Sequence, residues 1–264
     1  MIEIRALLLA AGIGSRLWPL TSHWPKCLMP VSGKALLEHW LCSLYRSGVK
    51  KVLVNVHHHQ AAMECFLRRQ YFSGWVASVY EPQLLGTAGT LIANAQHFDG
   101  CTTLLAHADN WCHCDFRGFL DYHRKSRPDN TLITMMTFRS DTPSSCGVVE
   151  LDDNGVVRNM HEKVDNPPSN LANGAVYLIE PPVLDWLTRY PTITDFSTEV
   201  IPHFFGRIAT WENQEIHRDI GVIESLLAAQ KDSIEVPCWV QEDQWQVEFS
   251  SKPIHKELRA LSRS

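Results

Sequence analysis

The stretch that most restricts this chain is Ile4–Ala10 together with the glycine-containing segment after it. An apolar run, IRALLLA, stops at Ala-Gly-Ile-Gly-Ser-Arg, and Lys26 comes soon after, behind Pro25. A short continuous apolar run closed by glycines reads as a buried strand that ends in a turn. Glycines let the main chain approach a ligand closely, and successive free N–H groups form a nest for an anion. With Arg16 and Lys26 aimed into it, the loop reads as a backbone cradle for phosphates.

The rest of the first half repeats the strand–helix alternation. Helical spacing covers Ala35–Ser47, Ala61–Tyr71, Thr87–Gln96 and Phe116–Lys125, and strands are expected at Lys51–Val56, Val76–Tyr80, Thr102–His107 and Thr131–Phe138. Such alternation implies an α/β fold with a mostly parallel sheet and helices on both faces. The second half changes character. Gly147–Leu151 and Val156–His161 flank Asp-Asp-Asn-Gly, a hairpin signal. A strand at Ala175–Ile179 and helices at Val183–Arg189 and Ile220–Lys231 come next. With 264 residues, 45% of them hydrophobic, the chain can bury one large core. No repeat or linker interrupts it. The expectation is a single-domain, Rossmann-like three-layer sandwich with a mostly parallel mixed sheet over residues 1–231, and a C-terminal extension, 232–264, whose role is not readable.

A formal charge of −5 without a Lys/Arg cluster argues against a nucleic-acid partner. No apolar run approaches the ~20 residues of a membrane span. The amino-terminal run is short and followed by site-like residues, so a strand is preferred to a signal peptide, and a cytoplasmic location is expected. The eight cysteines include no CxxC and are expected to be reduced thiols; Cys112-His113-Cys114 lacks a second ligand pair with zinc spacing. His57-His58-His59 reads as a polar strand-to-helix loop. Asp195–Glu199 reads as a helix cap at Ser197 or nearby, with no catalytic role.

The glycine loop lacks the third glycine of GxGxxG and the GK[ST] of a Walker loop. Instead, Leu9-Ala10-Ala11-Gly12-x-Gly14-Ser15-Arg16-Leu17-x-Pro19-Leu20-Thr21, then Pro25-Lys26 and Pro30-Val31, resembles the signature of the sugar-1-phosphate nucleotidyltransferases. Glu81-Pro82-Gln83-Leu84-Leu85-Gly86-Thr87-Ala88-Gly89 is most similar to the mannose-1-phosphate guanylyltransferase branch. The resemblance implies that Leu9, Ala10, Ala11, Gly12, Gly14, Ser15, Arg16, Lys26, Glu81, Gly86 and Thr87 bind the nucleotide, with Glu81 accepting from the guanine N1–H and amino group. It further implies that Asp109 (in His107-Ala108-Asp109-Asn110) and Asp219 (in Asp219-Ile220-Gly221) hold Mg²⁺. That ion takes one or two carboxylates plus substrate phosphates. Gly147, Glu162, Lys163 and Asn173 resemble the sugar-phosphate segments of the family.

The expected reaction joins a sugar 1-phosphate to an NTP and releases pyrophosphate, with Arg16, Lys26 and Asp109 as catalytic residues. The attacking phosphate is already an anion, so the protein must offset repulsion between two polyanions by position and charge. Other bases (a uridylyl- or thymidylyltransferase), other sugars such as a heptose phosphate, a cytidylyltransferase on a non-sugar phosphate, and a non-catalytic nucleotide-sugar-binding paralogue are the alternatives. A homo-oligomer is left open.

Overall fold

The computed structural model describes residues 3–232, 234, 239 and 242–262. In chain order the elements are β1 (Ile4–Leu9), β2 (Pro30–Val31), β3 (Lys34–Ala35), α1 (Leu36–Arg46), β4 (Val52–Val56), α2 (Gln60–Leu67), β5 (Val76–Tyr80), α3 (Gly86–Ala93), β6 (Thr102–His107), β7 (Asn110–His113) and α4 (Phe116–Lys125). They continue with β8 (Ile133–Arg139), β9 (Gly147–Leu151), β10 (Val157–Glu162), β11 (Leu171–Ile179), α5 (Pro181–Leu187), β12 (Ile208–Glu212), β13 (Ile216–Asp219), α6 (Ile223–Ala229), α7 (Gln244–Ser250) and α8 (Pro253–Leu261). The expected α/β alternation is therefore what the chain adopts. Among the described residues no helix is long and apolar enough to cross a membrane.

The chain forms two compact units, each assembled from separated segments. The first comprises Leu8–Gln83, His107–Cys112 and Arg218–Ser264; the second comprises Met1–Leu7, Leu84–Ala106 and His113–His217. In the first unit, β4 and β5 pair in parallel from Val52↔Val76 to Val56↔Tyr80. All five residues of β4 are buried, as a strand covered on both faces requires. Helix α1 lays Leu36, Leu37, Trp40, Leu41 and Leu44 into this core. It ends at Arg46, with Ser47 as its cap, followed by Gly48 at φ 89°, a left-handed stop that glycine adopts without steric cost.

In the second unit β11 is the central strand, antiparallel to β6, β8 and β9, while β12 joins β8 in parallel and β10 joins β9 as the expected hairpin. The sheet is thus mixed.

Several boundaries differ from the sequence expectation for physical reasons. Helix α3 stops at Ala93 and a 3₁₀ turn, Ala95–Phe98, replaces its last turn. Strand β11 starts at Leu171, and its register with β8 breaks between Asn173 and Tyr177, where Ala175 sits at φ 52°. A bulge of this kind disturbs the period-2 pattern, so only the regular half of the strand shows in the sequence. The cap expected at Ser197 or nearby is Asp195, which accepts from Thr198 N.

The C-terminal extension carries α7 and α8, and it is attached both by apolar side chains, with Phe249, Ile254 and Leu258 buried and Trp24 stacked on Phe249, and by a polar anchor. Arg69, 3% exposed in its side chain, donates to Glu38 Oε2 at 2.5 Å and to Asp243 Oδ2 at 2.7 Å. Its guanidinium also lies 4.8 Å over the Trp245 ring. Asp243 in turn caps α7 through Gln246 N. The expectation of reduced thiols fails at Cys42, which is disulfide-bonded. Cys27, Cys65, Cys101, Cys112, Cys114 and Cys146 are free, and Cys238 lies outside the described residues.

Candidate active site

The glycine loop leaves β1 in the first unit. Gly14 takes φ 68°, and a Cβ on it would come within 2.9 Å of Thr21 Cγ2 and 3.1 Å of Lys26 Cβ, so both backbone angle and space demand glycine. A Cβ on Gly12 would stand 3.5 Å from Asp109 Oδ2, which puts the loop backbone directly against that carboxylate. Gly12, Ser15 and Arg16 are exposed, whereas Lys26 is buried beneath them.

Lys26 joins the two predicted aspartates. Its Nζ donates to Asp109 Oδ2 at 2.7 Å and lies 3.6 Å from Asp219 Oδ1, and Arg16 Nη2 stands 3.5 Å from Asp219 Oδ2. Residues far apart in sequence thus form one alternating array of two cations and two carboxylates. Burial alone pushes the Asp109 carboxyl up; the Lys26 ammonium, aided by His107, outweighs it and holds the group below the usual carboxylate range. The neighbouring Cys27 thiol is pushed up by burial, and Asp109 adds to the shift, so it stays protonated and chemically quiet.

Two tethers that the sequence did not reveal hold the loop at its ends. Asn55, on β4, accepts from Ala10 N at 2.7 Å and donates to Glu81 Oε1 at 3.1 Å. Thr21 Oγ1 donates to Gly14 O at 2.8 Å, while Thr21 O lies 2.9 Å from His59 Nε2. His57 Nδ1 lies 2.7 Å from Glu81 O. The histidine run is thus a strand-to-helix loop, as expected, but one that braces two site segments. Glu81 itself is 3% exposed.

In the second unit, Gly86 begins α3 at φ 79°, and a Cβ there would strike the carbonyl oxygen of Thr194. That carbonyl accepts from Ala88 N at 2.9 Å, and Thr87 Oγ1 accepts from Phe196 N at 2.6 Å. Glu199 Oε2 holds the same turn through Thr194 N and Asp195 N. The Asp195–Glu199 segment therefore supports the Gly86-Thr87 turn.

The predicted sugar-phosphate residues of this unit form a second group. Gly147 packs against Glu162, whose Oε2 would be 2.6 Å from a Cβ at that position. Lys163 takes φ 51°, its Nζ 3.5 Å from Glu162 Oε1, with both side chains open to solvent. Asn173 donates to the Tyr177 hydroxyl at 2.7 Å and to Ser197 Oγ at 3.3 Å. Burial pushes the Tyr177 phenol up, so it remains neutral. Tyr177 and Ser197 were not among the expected binding residues.

The nucleotidyl transferase family model matches residues 5–235 of the chain. Among curated proteins, the mannose-1-phosphate guanylyltransferase catalytic subunit beta of Drosophila melanogaster is 31% identical over 207 residues, covering 75% of this chain and 53% of the relative. The mannose-1-phosphate guanylyltransferase of Mycobacterium tuberculosis is 27% identical over 239 residues, covering 88% and 65%. A UTP–glucose-1-phosphate uridylyltransferase of Synechocystis is 31% identical over 198 residues, covering 70% and 51%. The chain spans about half to just under two thirds of the length of these relatives. Among solved structures, a proposed glucose-1-phosphate thymidylyltransferase of Bacillus anthracis superposes with a TM-score of 0.77 at 19% identity, over 89% of this chain and 98% of that one. HddC of Yersinia pseudotuberculosis, complexed with GMP-PN, gives 0.72 at 19% identity, over 88% and 99%. These two show that the fold is the Rossmann-like one of nucleotidyltransferases. The match over most of the sequence, on a chain whose glycine loop, Lys26 and two aspartates converge, establishes that the protein belongs to the nucleotidyl transferase family.

Proposed function

We propose that this chain transfers a guanylyl group from GTP to mannose 1-phosphate, giving a nucleotide sugar and pyrophosphate. The observation that carries nucleotidyl transfer is the convergence of Asp109 and Asp219 on Lys26, beside a glycine loop that admits no side chain at Gly14. An oxygen of the sugar 1-phosphate attacks the α-phosphorus of the nucleotide, and the bond to the bridging oxygen of the β-phosphate breaks. The nucleophile needs no deprotonation, so the task of the protein is alignment and charge neutralisation. Arg16 and Lys26 supply fixed positive charge at the phosphates, and the loop amides from Ala11 to Ser15 supply oriented dipoles. Lys163 and Glu162 serve the 1-phosphate and the sugar hydroxyls respectively.

Two carboxylates gathered on one ammonium form a hard oxygen donor pair of the kind that holds Mg²⁺ with substrate phosphates completing the shell. Asp109 and Asp219 would hold the ion, and when bound it supplies Lewis-acid stabilisation of phosphate charge.

The base assignment rests on the Leu85–Gly89 segment and on guanylyltransferase relatives. A uridylyl transfer to glucose 1-phosphate is the second reading, favoured by the equal identity of the uridylyltransferase relative. Pyrophosphate release measured for each of four NTPs against several sugar 1-phosphates separates them. The proposal expects GTP with mannose 1-phosphate to lead; a lead of UTP or dTTP by about tenfold or more, on the order of 1.4 kcal/mol in transition-state binding, would replace the guanylyl assignment.

A further inference from the structure

Asn55 is the one polar residue of β4, whose other residues are Val52, Leu53, Val54 and Val56. It is 3% exposed. A buried amide in such a strand is costly unless both of its ends are paired, and both are. Ala10 N can only donate, so the atom facing it at 2.7 Å must be the Asn55 oxygen. The amide nitrogen then faces Glu81 Oε1 at 3.1 Å, where an acceptor is required. The orientation of the amide is fixed by chemistry at both ends.

What it joins gives the pairing its meaning. Ala10 is the first residue after β1, where the backbone leaves the sheet and becomes the glycine loop. Glu81 is the first residue after β5, held to β4 through Glu81 N and Val56 O at 2.8 Å, and it opens the segment that runs to Gly86 and Thr87. Asn55, on the strand next to β1, holds the Ala10 amide with its side chain and passes the constraint to Glu81.

We propose that Asn55 is a positioning residue: it fixes the Ala10 amide, and with it the glycine loop, through a donor–acceptor relay anchored on Glu81. The relay rests on the nucleotidyl-transfer reading above and adds to it a coupling between the Glu81 segment and the phosphate loop. A loop displaced by about 1 Å loses on the order of a hundredfold in rate while substrates still bind.

The test uses the full chain, Mg²⁺, and the NTP and sugar 1-phosphate pair that the wild type turns over fastest. Asn55→Leu keeps the heavy-atom count and the branch at Cγ and removes both hydrogen bonds. The expected result is a fall in kcat of more than about tenfold, toward a hundredfold, with the KM for the sugar phosphate within about threefold of wild type. A kcat within threefold overturns the proposal. Asn55→Asp sets a second carboxylate against Glu81, and the added Glu81→Gln restores a donor–acceptor pair while the introduced carboxylate still accepts from Ala10 N. With Glu81→Gln alone measured beside it, the double variant is expected to show a kcat at least about tenfold above the value obtained by multiplying the two single-variant effects, a non-additivity that coupled partners show. Single-variant effects that simply multiply overturn the proposal even where Asn55→Leu fails to fold. Wild-type protein that releases no pyrophosphate with any pair sinks the nucleotidyl-transfer reading and the relay with it, whereas an active wild type beside an undiminished Asn55→Leu sinks the relay alone.

Discussion

At the residue scale, Lys26 is where the site is decided. It is the buried cation of the group, and it compensates the carboxylate that burial would otherwise neutralise. Replacing it with Met is expected to lower kcat by about 10²–10³-fold and to let the Asp109 carboxyl rise toward its burial-dominated value. Steady-state kinetics and a carboxyl-carbon NMR titration read the two effects separately. An unchanged Asp109 titration would show that Lys26 does not set its charge. Gly12, Gly14, Arg16 and Lys26 stood out in the glycine-containing run after β1, whereas Asp109 and Asp219 were singled out only through the resemblance of their short motifs to the family. Asn55 and His59 were not legible. A single amide inside VLVNV carries no periodic signal, and its partners, Ala10 and Glu81, are defined only once the strands have paired. His59 was equally opaque, because its reach to Thr21 O depends on the left-handed turn at φ 54° that the sequence alone does not announce.

At the element scale, two junctions carry more than their length suggests. The first is the start of α3. Gly86→Ala would force a left-handed backbone on a residue with a Cβ and drive that atom into the Thr194 carbonyl. The expected cost is about 2 kcal/mol or more, read as a lowered urea midpoint, together with weakened nucleotide affinity as Thr87 loses its hold on Phe196 N. A midpoint equal to that of wild type would mean the turn relaxes freely. The second is the Glu38–Arg69–Asp243 triad that attaches α7. Arg69→Met leaves Glu38 fully buried beside no cation, and breaking such a pair from one side costs about 3–5 kcal/mol. Chemical denaturation of this variant would show that loss; a shift under about 1 kcal/mol would mean Glu38 finds another partner or a proton at little cost. The helices of α/β type were readable from their apolar faces, as α1 shows. Helices α7 and α8 were not picked out, although Ile254 and Leu258 stand four residues apart on the buried face of α8; the ion triad that also anchors α7 joins residues far apart in sequence and leaves no local pattern.

At the scale of the whole molecule, acid stability has an identifiable contributor. Glu180, after β11, accepts from His123 Nε2 at 2.8 Å and from Thr102 Oγ1 at 3.1 Å, and pairs with Arg127 at 3.3 Å. The hydrogen bond from His123, against the penalty of burial and with help from Arg127, pulls its carboxyl from 4.5 down to about 2. Burial lowers the His123 pKa, so the ring is neutral near pH 7 and donates from Nε2 while Nδ1 accepts from Thr134 Oγ1. Because the folded pKa of Glu180 lies below the unfolded one, its contribution is complete above about pH 4.5 and disappears as pH falls toward 2. Glu180→Gln is expected to remove up to about 3 kcal/mol of stability at neutral pH and to flatten the pH dependence across that window. Parallel unfolding curves for wild type and variant at pH 7 and pH 3 would decide it, equal separations at both counting against the assignment. The central claim, nucleotidyl transfer to a sugar 1-phosphate, is tested most directly by pyrophosphate release from the wild-type chain with Mg²⁺, each NTP and each sugar 1-phosphate, with Asp109→Ala as control. Release matched mole for mole by nucleotide sugar, greatest for GTP with mannose 1-phosphate and lost in Asp109→Ala, is the predicted result; no release from any pair, or undiminished release by Asp109→Ala, would contradict it.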